Sequence, residues 1–212
     1  MDCIILCGGL GKRLEPFEGN QDTPKALIKI KGKTLLERQI EHLKKYDIKR
    51  FVLATGIMSD KIASFIGPRY DFIISKENEP LGTAGAVKKA LEHVGNDFFV
   101  INVDDLTDIN FDKLRRFNEP TIALGQYRCQ FGVVKTSGND VIAFDEKPIL
   151  PTVWVSCGTY YLNKTIELPD KGSLEKDVFP NINLKAYKHT GHWQTINTKK
   201  DIEEAEKSEW IK

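Results

Sequence analysis

Short apolar runs rich in β-branched and aromatic residues recur through the first half of the chain, and helical spacing of apolar residues follows them. Cys3 to Cys7 (CIILC), Phe51 to Thr55 (FVLAT), Asp71 to Ser75 (DFIIS) and Phe98 to Asn102 (FFVIN) read as strands. Between the first two, Thr34 and Glu37 stand in capping-box spacing, and Leu36, Ile40 and Leu43 then recur on one helical stripe. Lys61 to Ile66 and Gly82 to His93 read as two further helices. Strands alternating with helices predict βαβ units on a parallel sheet. From Pro120 the texture changes to closely spaced strands, TIALGQY, QFGVVKT, DVIAFDE and VWVSCGTYYL, separated by turn pairs such as Gly138-Asn139. That predicts mixed or antiparallel sheet added to the parallel one. Thr198 and Asp201 repeat the capping-box spacing and open a last helix. With no repeat, low-complexity segment or linker, residues 1–212 read as one domain, its halves meeting near residues 118 and 119.

Bulk properties narrow the function. The content, 41% hydrophobic and 29% charged, is that of a soluble globular protein. The apolar runs are strand-sized, short of the roughly 20 residues that cross a bilayer. Met1-Asp2 leads straight into a strand without a signal-peptide pattern, so a cytoplasmic protein with no membrane partner is expected. The 31 basic and 30 acidic residues leave a formal charge of +1, and no field that would gather nucleic acid. Cys3, Cys7, Cys129 and Cys157 form no CxxC pair and are expected as free thiols. His189 and His192 lack a nearby cysteine or third histidine and are not expected to bind zinc.

The candidate chemistry begins directly after the first strand, at CGGLGKRL. A Walker A loop would need glycine where Leu6 stands and a hydroxyl where Arg13 stands. A dinucleotide fingerprint begun at Gly9 and Gly11 would need glycine at Leu14. Both fail. What remains is G-G-x-G-x-R-L, then Pro24-Lys25. Glycines let backbone N–H groups close on a polyphosphate, Arg13 offers a planar fork of donors, and Lys25 offers a point charge.

This opening resembles that of the sugar-1-phosphate nucleotidyltransferases, and further similar stretches follow in family order across nearly the whole chain. They are EPLGTAGA (Glu79 to Ala86), VINVDDLTD, FGVV (Phe131 to Val134), FDEKP (Phe144 to Pro148), VSCGTYYL (Val155 to Leu162) and HWQTINT (His192 to Thr198). The resemblance implies a Rossmann-like α/β fold, an open and mostly parallel sheet with helices on both faces and an added sugar-side sheet. It implies transfer of a nucleoside monophosphate from a nucleoside triphosphate to a sugar 1-phosphate, with release of pyrophosphate. By the same resemblance Arg13, Lys25 and Asp104 are catalytic. Leu6, Gly8, Gly9, Gly11, Gly82 and Thr83 lie on the nucleotide, and Gly132, Glu146, Lys147 and Ser156 on the sugar phosphate. Asp104 holds Mg²⁺, and a homo-oligomer is left open.

Four positions depart from the family pattern. Val103 stands where glycine usually precedes the metal aspartate, Asp105 adds a carboxylate, and Ser156 replaces a common asparagine. Thr195 or Asn197 stands where a second metal-binding aspartate is expected. Two other readings stay open: an enzyme of the same fold acting on a molybdenum-cofactor, isoprenoid or choline-type phosphate, and a non-catalytic nucleotide-sugar-binding module.

Overall fold

The computed structural model describes residues 1–8, 23–56, 58–67 and 70–212. In chain order the elements are β1 (Asp2–Leu6), β2 (Lys29–Ile30), β3 (Lys33–Thr34), α1 (Leu35–Lys44), β4 (Arg50–Thr55), α2 (Ser59–Ile66), β5 (Phe72–Lys76), α3 (Gly82–Ala90) and β6 (Asp97–Asn102). They continue with β7 (Asp105–Thr107), α4 (Phe111–Arg115), β8 (Thr121–Arg128), β9 (Val133–Ser137), β10 (Asp140–Asp145), β11 (Ile149–Asn163), β12 (Lys185–His189), β13 (Trp193–Thr195) and α5 (Lys199–Lys207).

The strands expected in the first half form a parallel sheet. β1 is flanked by β6 and β4, and β4 by β5. Alternation along β1 explains why both faces are covered. Cys3 and Ile5 point into one core with residues of α1, α2 and α5, while Ile4 points into a second with Ala84, Val87 and Ala90 of α3. Both expected capping boxes are present, Thr34 with Glu37 at α1 and Thr198 with Asp201 at α5. Each ties two otherwise unpaired N–H groups at a helix start.

The junction of parallel and antiparallel parts runs through β11, which lies antiparallel between β6 and β8. β12 then pairs with β8, giving one seven-stranded sheet in the order β12-β8-β11-β6-β1-β4-β5. β11 shifts register twice, between Leu150 and Trp154 near Pro151 and between Ser156 and Tyr160 around Gly158. β9 and β10 form a separate hairpin. The four cysteines are free, and Cys3, Cys7 and Cys157 are buried. Burial raises the Cys157 thiol to about 12, and the charge of Asp105 adds to the rise. Among the described residues no helix is long and apolar enough to cross a membrane.

Candidate active site

The carboxyl ends of the parallel strands gather at one edge of the sheet, where open α/β sheets place ligands. Leu6 ends β1 opposite Asn102 at the end of β6. Val103 N–H donates to the Leu6 carbonyl at 3.3 Å, and the Val103 side chain turns into the core, so its bulk stays out of the site. The chain then turns through Asp104 and Asp105, and these neighbours part company.

Asp104 faces outward, where Lys25 Nζ donates to its Oδ2. The same ammonium donates to Asn197 Oδ1 at 2.7 Å. Lys25 reaches this point from the 3-10 turn Lys25–Leu27, entered through the extended Pro24. Asn197 is brought there by β13, which pairs antiparallel with β7 in the register Trp193↔Thr107, Gln194↔Leu106, Thr195↔Asp105. Ile196 N–H then donates to the Asp104 carbonyl at 2.9 Å, and Asn197 Nδ2 to Thr195 Oγ1 at 2.9 Å. Asn197, not Thr195, is therefore the residue that shares Lys25 with Asp104.

Asp105 faces inward and is only 7% exposed. Its Oδ2 accepts from Asn102 Nδ2 at 2.9 Å and its Oδ1 from Trp193 Nε1 at 3.1 Å. Burial pushes its carboxyl up to about 7, with the charge of Asp104 adding to the rise; hydrogen bonds from Asn102, Trp193 and Thr195 act in the opposite direction. The corner is also held from below by Gln39, a buried side chain of α1 whose Nε2 donates to the Asp105 carbonyl at 2.8 Å and lies 3.3 Å from those of Asn102 and Val103. The sequence carried a signal for Gln39, a polar residue beside Ile40 on an otherwise apolar stripe.

Gly8 lies where β1 runs out. A Cβ added there would come 3.2 Å from Glu77 Oε1 and 3.7 Å from the Gly56 nitrogen, so the ends of β1, β4 and β5 meet closely. Glu77 also accepts from Leu81 N–H at 2.9 Å. Nothing in the sequence singled out Glu77. Gly9, Gly11 and Arg13 lie outside the described residues.

Gly82 opens α3 at φ +74°, and the Gly172 backbone occupies the space its Cβ would take. Thr83 Oγ1 donates to Glu175 Oε2 at 2.9 Å and accepts from Leu174 N–H at 2.8 Å. Glu175 Oε1 accepts from Tyr160 OH at 3.2 Å, and Tyr160 OH lies 3.2 Å from Ser156 Oγ. A hydrogen-bonded chain thus joins Thr83 to Ser156 through two residues that the sequence reading missed. Burial would raise the Glu175 carboxyl, but hydrogen bonds from Ser173, Thr83 and Tyr160 help hold it below its ordinary value.

The remaining sugar-side candidates sit at the foot of the β9–β10 hairpin. Cys129 N–H donates to the Pro148 carbonyl at 2.9 Å and closes that foot. Lys147 is exposed at φ +46°, with Nζ 3.7 Å from Glu146 Oε1. Gly132 lies under the Phe144 ring, whose Cε1 would be 2.7 Å from an added Cβ. Asp108 Oδ1 lies 2.7 Å from both His189 Nε2 and the His192 nitrogen.

A nucleotidyl transferase family profile matches residues 2–179 of the chain. The chain belongs to that family. This nucleotidyl transferase is 37% identical over 190 residues to the D-glycero-alpha-D-manno-heptose 1-phosphate guanylyltransferase of Campylobacter jejuni, covering 83% of this chain and 84% of that protein. It is 35% identical over 192 residues to the enzyme of the same name from Aneurinibacillus thermoaerophilus, covering 84% and 83%. The crystal structure of HddC from Yersinia pseudotuberculosis complexed with GMP-PN superposes with a TM-score of 0.78 at 30% identity, covering 97% of this chain and 98% of that one. These likenesses place the nucleotidyl transferase in the sugar-1-phosphate branch that its motifs indicated.

Proposed function

We propose that this sugar-1-phosphate nucleotidyltransferase is a guanylyltransferase that joins GMP from GTP to a heptose 1-phosphate and releases pyrophosphate. The observation that carries the reading is that two relatives, each matched over more than four-fifths of both chains, share that one activity in their names. The HddC structure complexed with GMP-PN supports the choice of guanine.

The reaction is an in-line attack by a sugar phosphate oxygen on the α-phosphorus. The protein has to bring two polyanions together and neutralise charge that moves onto the leaving pyrophosphate. In this reading Lys25 is the cation beside the reacting phosphates, aimed by Asp104 and Asn197, and Arg13 with the glycine loop holds the triphosphate. Lys147, with Glu146, Ser156 and the Gly132 backbone, receives the sugar phosphate. The left-handed backbone of Lys147 costs a non-glycine residue about 1–2 kcal/mol, which fits a side chain held out for binding. Leu6, Gly8, Gly82 and Thr83 form the nucleotide side.

The family generally depends on a divalent metal. Among the described residues no group of three or more His, Cys, Asp or Glu could hold one. The oxygens present, one carboxylate of Asp104 and the amide of Asn197, suit a Mg²⁺ shared with the nucleotide's own phosphates, since that ion keeps several waters. When bound it would neutralise charge on the triphosphate. The same reading makes the protein a cytoplasmic enzyme.

The test is a grid of the nucleoside triphosphates against a panel of sugar 1-phosphates, choline phosphate included, read by pyrophosphate release. GTP with a heptose 1-phosphate should give the highest kcat/KM. A higher value for another pair would replace the substrate assignment, and tight nucleotide-sugar binding without turnover would favour a binding module.

A further inference from the structure

The short helical turn Leu174–Val178 carries a carboxylate, Glu175, that belongs to neither half of the proposed site. Leu174 and Val178 are buried and anchor the turn. Two backbone bonds tie the segment before it to the start of α3: Ala84 N–H donates to the Gly172 carbonyl at 2.9 Å, and Gly172 N–H to the Leu81 carbonyl at 2.8 Å. Glu175 is thereby held between α3 and β11. It lies at the surface, yet both of its oxygens are taken. Oε2 accepts from Thr83 Oγ1 at 2.9 Å and from Ser173 Oγ at 2.7 Å, and Oε1 accepts from Tyr160 OH at 3.2 Å.

An ionised carboxylate can only accept, so all three hydroxyls point their single proton at Glu175. Tyr160 is left with an oxygen that accepts, and the Ser156 hydroxyl 3.2 Å away is the donor between those two. Ser156 Oγ also accepts from Gly158 N–H at 3.2 Å, and Thr83 Oγ1 from Leu174 N–H at 2.8 Å. A hydroxyl has one proton and two lone pairs. Ser156 and Thr83, both half-buried, therefore each keep one lone pair and no proton for anything that approaches. Protonation agrees with this assignment. Burial acts to raise the Glu175 carboxyl, but its hydrogen bonds hold it below the ordinary value; burial raises the Tyr160 phenol, and the charge of Glu175 adds to the rise.

We propose that Glu175 is a positioning residue that fixes the polarity of Thr83 directly and of Ser156 through Tyr160, so that both hydroxyls meet the substrates only as acceptors. The inference rests on the reading that sets Thr83 on the nucleotide and Ser156 on the sugar phosphate. Its consequence is a sorting of substrate groups. A sugar hydroxyl can donate to Ser156, and a donor of the nucleoside can donate to Thr83. A phosphate oxygen can do neither, and the charge of Glu175 repels it. Phosphates are thus left to the cations Lys25 and Lys147, and one carboxylate helps to orient both substrates.

The test uses GTP and D-glycero-α-D-manno-heptose 1-phosphate, with analogues in which one sugar hydroxyl at a time is replaced by hydrogen or by fluorine, which cannot donate. For the wild type, kcat/KM should fall about twofold to tenfold at one position, the worth of one hydrogen bond, and fluorine should do no better there than hydrogen. Tyr160→Phe removes the acceptor of the Ser156 proton and keeps the ring that packs 4.9 Å from Phe179. At that same position fluorine should now outperform hydrogen by about threefold, with the KM for GTP unchanged. Glu175→Ala should reproduce this reversal and also raise the KM for GTP by about threefold, because it releases Thr83 as well. A loss of stability alone would lower the rate for every analogue alike and leave the fluorine-to-hydrogen ratio where it was. Neutron diffraction from the free protein supplies a measurement without substrate: the Ser156 deuteron should point at Tyr160, and those of Tyr160 and Thr83 at Glu175. If the wild type does not turn over this pair, the substrate assignment fails and the deuteron positions decide the inference. A Ser156 deuteron turned away from Tyr160 overturns it. So does an active wild type in which no sugar hydroxyl matters or fluorine already outperforms hydrogen, or a ratio that neither variant changes.

Discussion

Gly158→Ala probes whether the inward-facing Asp105 sets the geometry of the site. Gly158 lies at φ +61° within the second register shift of β11, and an added Cβ would collide with the Asp105 carboxylate and the Asn102 amide, reaching 2.9 Å from Asn102 Cγ. The left-handed backbone costs alanine about 1–2 kcal/mol and the overpacking about 1–3 kcal/mol, so the fold should lose about 2–5 kcal/mol. The two contributions can be separated. Asp105→Ala removes the colliding carboxylate but strands the donors of Asn102 and Trp193, at about 1–3 kcal/mol for each buried donor. In the double variant the backbone cost and the contact with Asn102 remain while the collision with Asp105 is relieved, so its loss should fall short of the summed single losses by about 1–3 kcal/mol. Because Asp104 turns on the same corner, Gly158→Ala should also lower turnover by about a hundredfold, as a misplacement of about 1 Å can. Urea denaturation gives the cycle and pyrophosphate release gives the rate. Losses that add within about 0.5 kcal/mol, or turnover near wild type, would refute the reasoning.

Lys25→Ala should cut turnover by about a hundredfold to a thousandfold, the cost of losing one donor to a developing charge, while urea denaturation shows a loss of no more than about 1–3 kcal/mol. Near wild-type turnover at saturating substrates would remove Lys25 from the site. Asp104→Asn should abolish pyrophosphate release, whereas Asp105→Asn should retain most of it, because the Asn102 amide can turn its oxygen toward the new donor; the reverse order would exchange their roles. Lys147→Ala should raise the KM for the sugar phosphate more than that for the nucleotide in steady-state titrations, and equal rises would count against a sugar-side position. Asn197→Asp should tighten divalent-metal binding measured by calorimetry without nucleotide, since it sets a second carboxylate beside Asp104; unchanged binding would show that residue 197 does not face the metal.

What was legible in the sequence was local. Strand runs, helical stripes and capping boxes depend on near neighbours, and the structure reproduces CIILC, FVLAT and FFVIN within a residue or two and both caps exactly where Thr34 and Thr198 stand. Pairing depends on distant residues, so the passage of β11 between β6 and β8 was not legible from its own composition. The same limit left Thr195 and Asn197 as equal candidates. The β7–β13 register separates them, committing Thr195 to a place opposite Asp105 and leaving Asn197 beside Lys25. Gln39 could have been flagged as a polar residue on a core stripe, but Glu77 and Glu175 look like ordinary surface charges until the fold assembles their partners.

Three of the departures from the family pattern have a common physical logic once the corner after β6 is seen whole. Val103 turns its side chain into the core while its N–H bonds the Leu6 carbonyl, so glycine's lack of bulk is not needed there. Asp105 is turned away from the site and tied to Asn102 and Trp193, so the added carboxylate adds little to what an incoming phosphate meets. Asn197 keeps an oxygen on Lys25 without a charge. Lys25 and Asp104 then balance each other, whereas an aspartate at 197 would leave the same cluster with one net negative charge facing a triphosphate. If this cluster receives the nucleotide as proposed, the neutral amide weakens any hold on a free metal ion and, in the same step, lowers the repulsion that the nucleotide must overcome to enter.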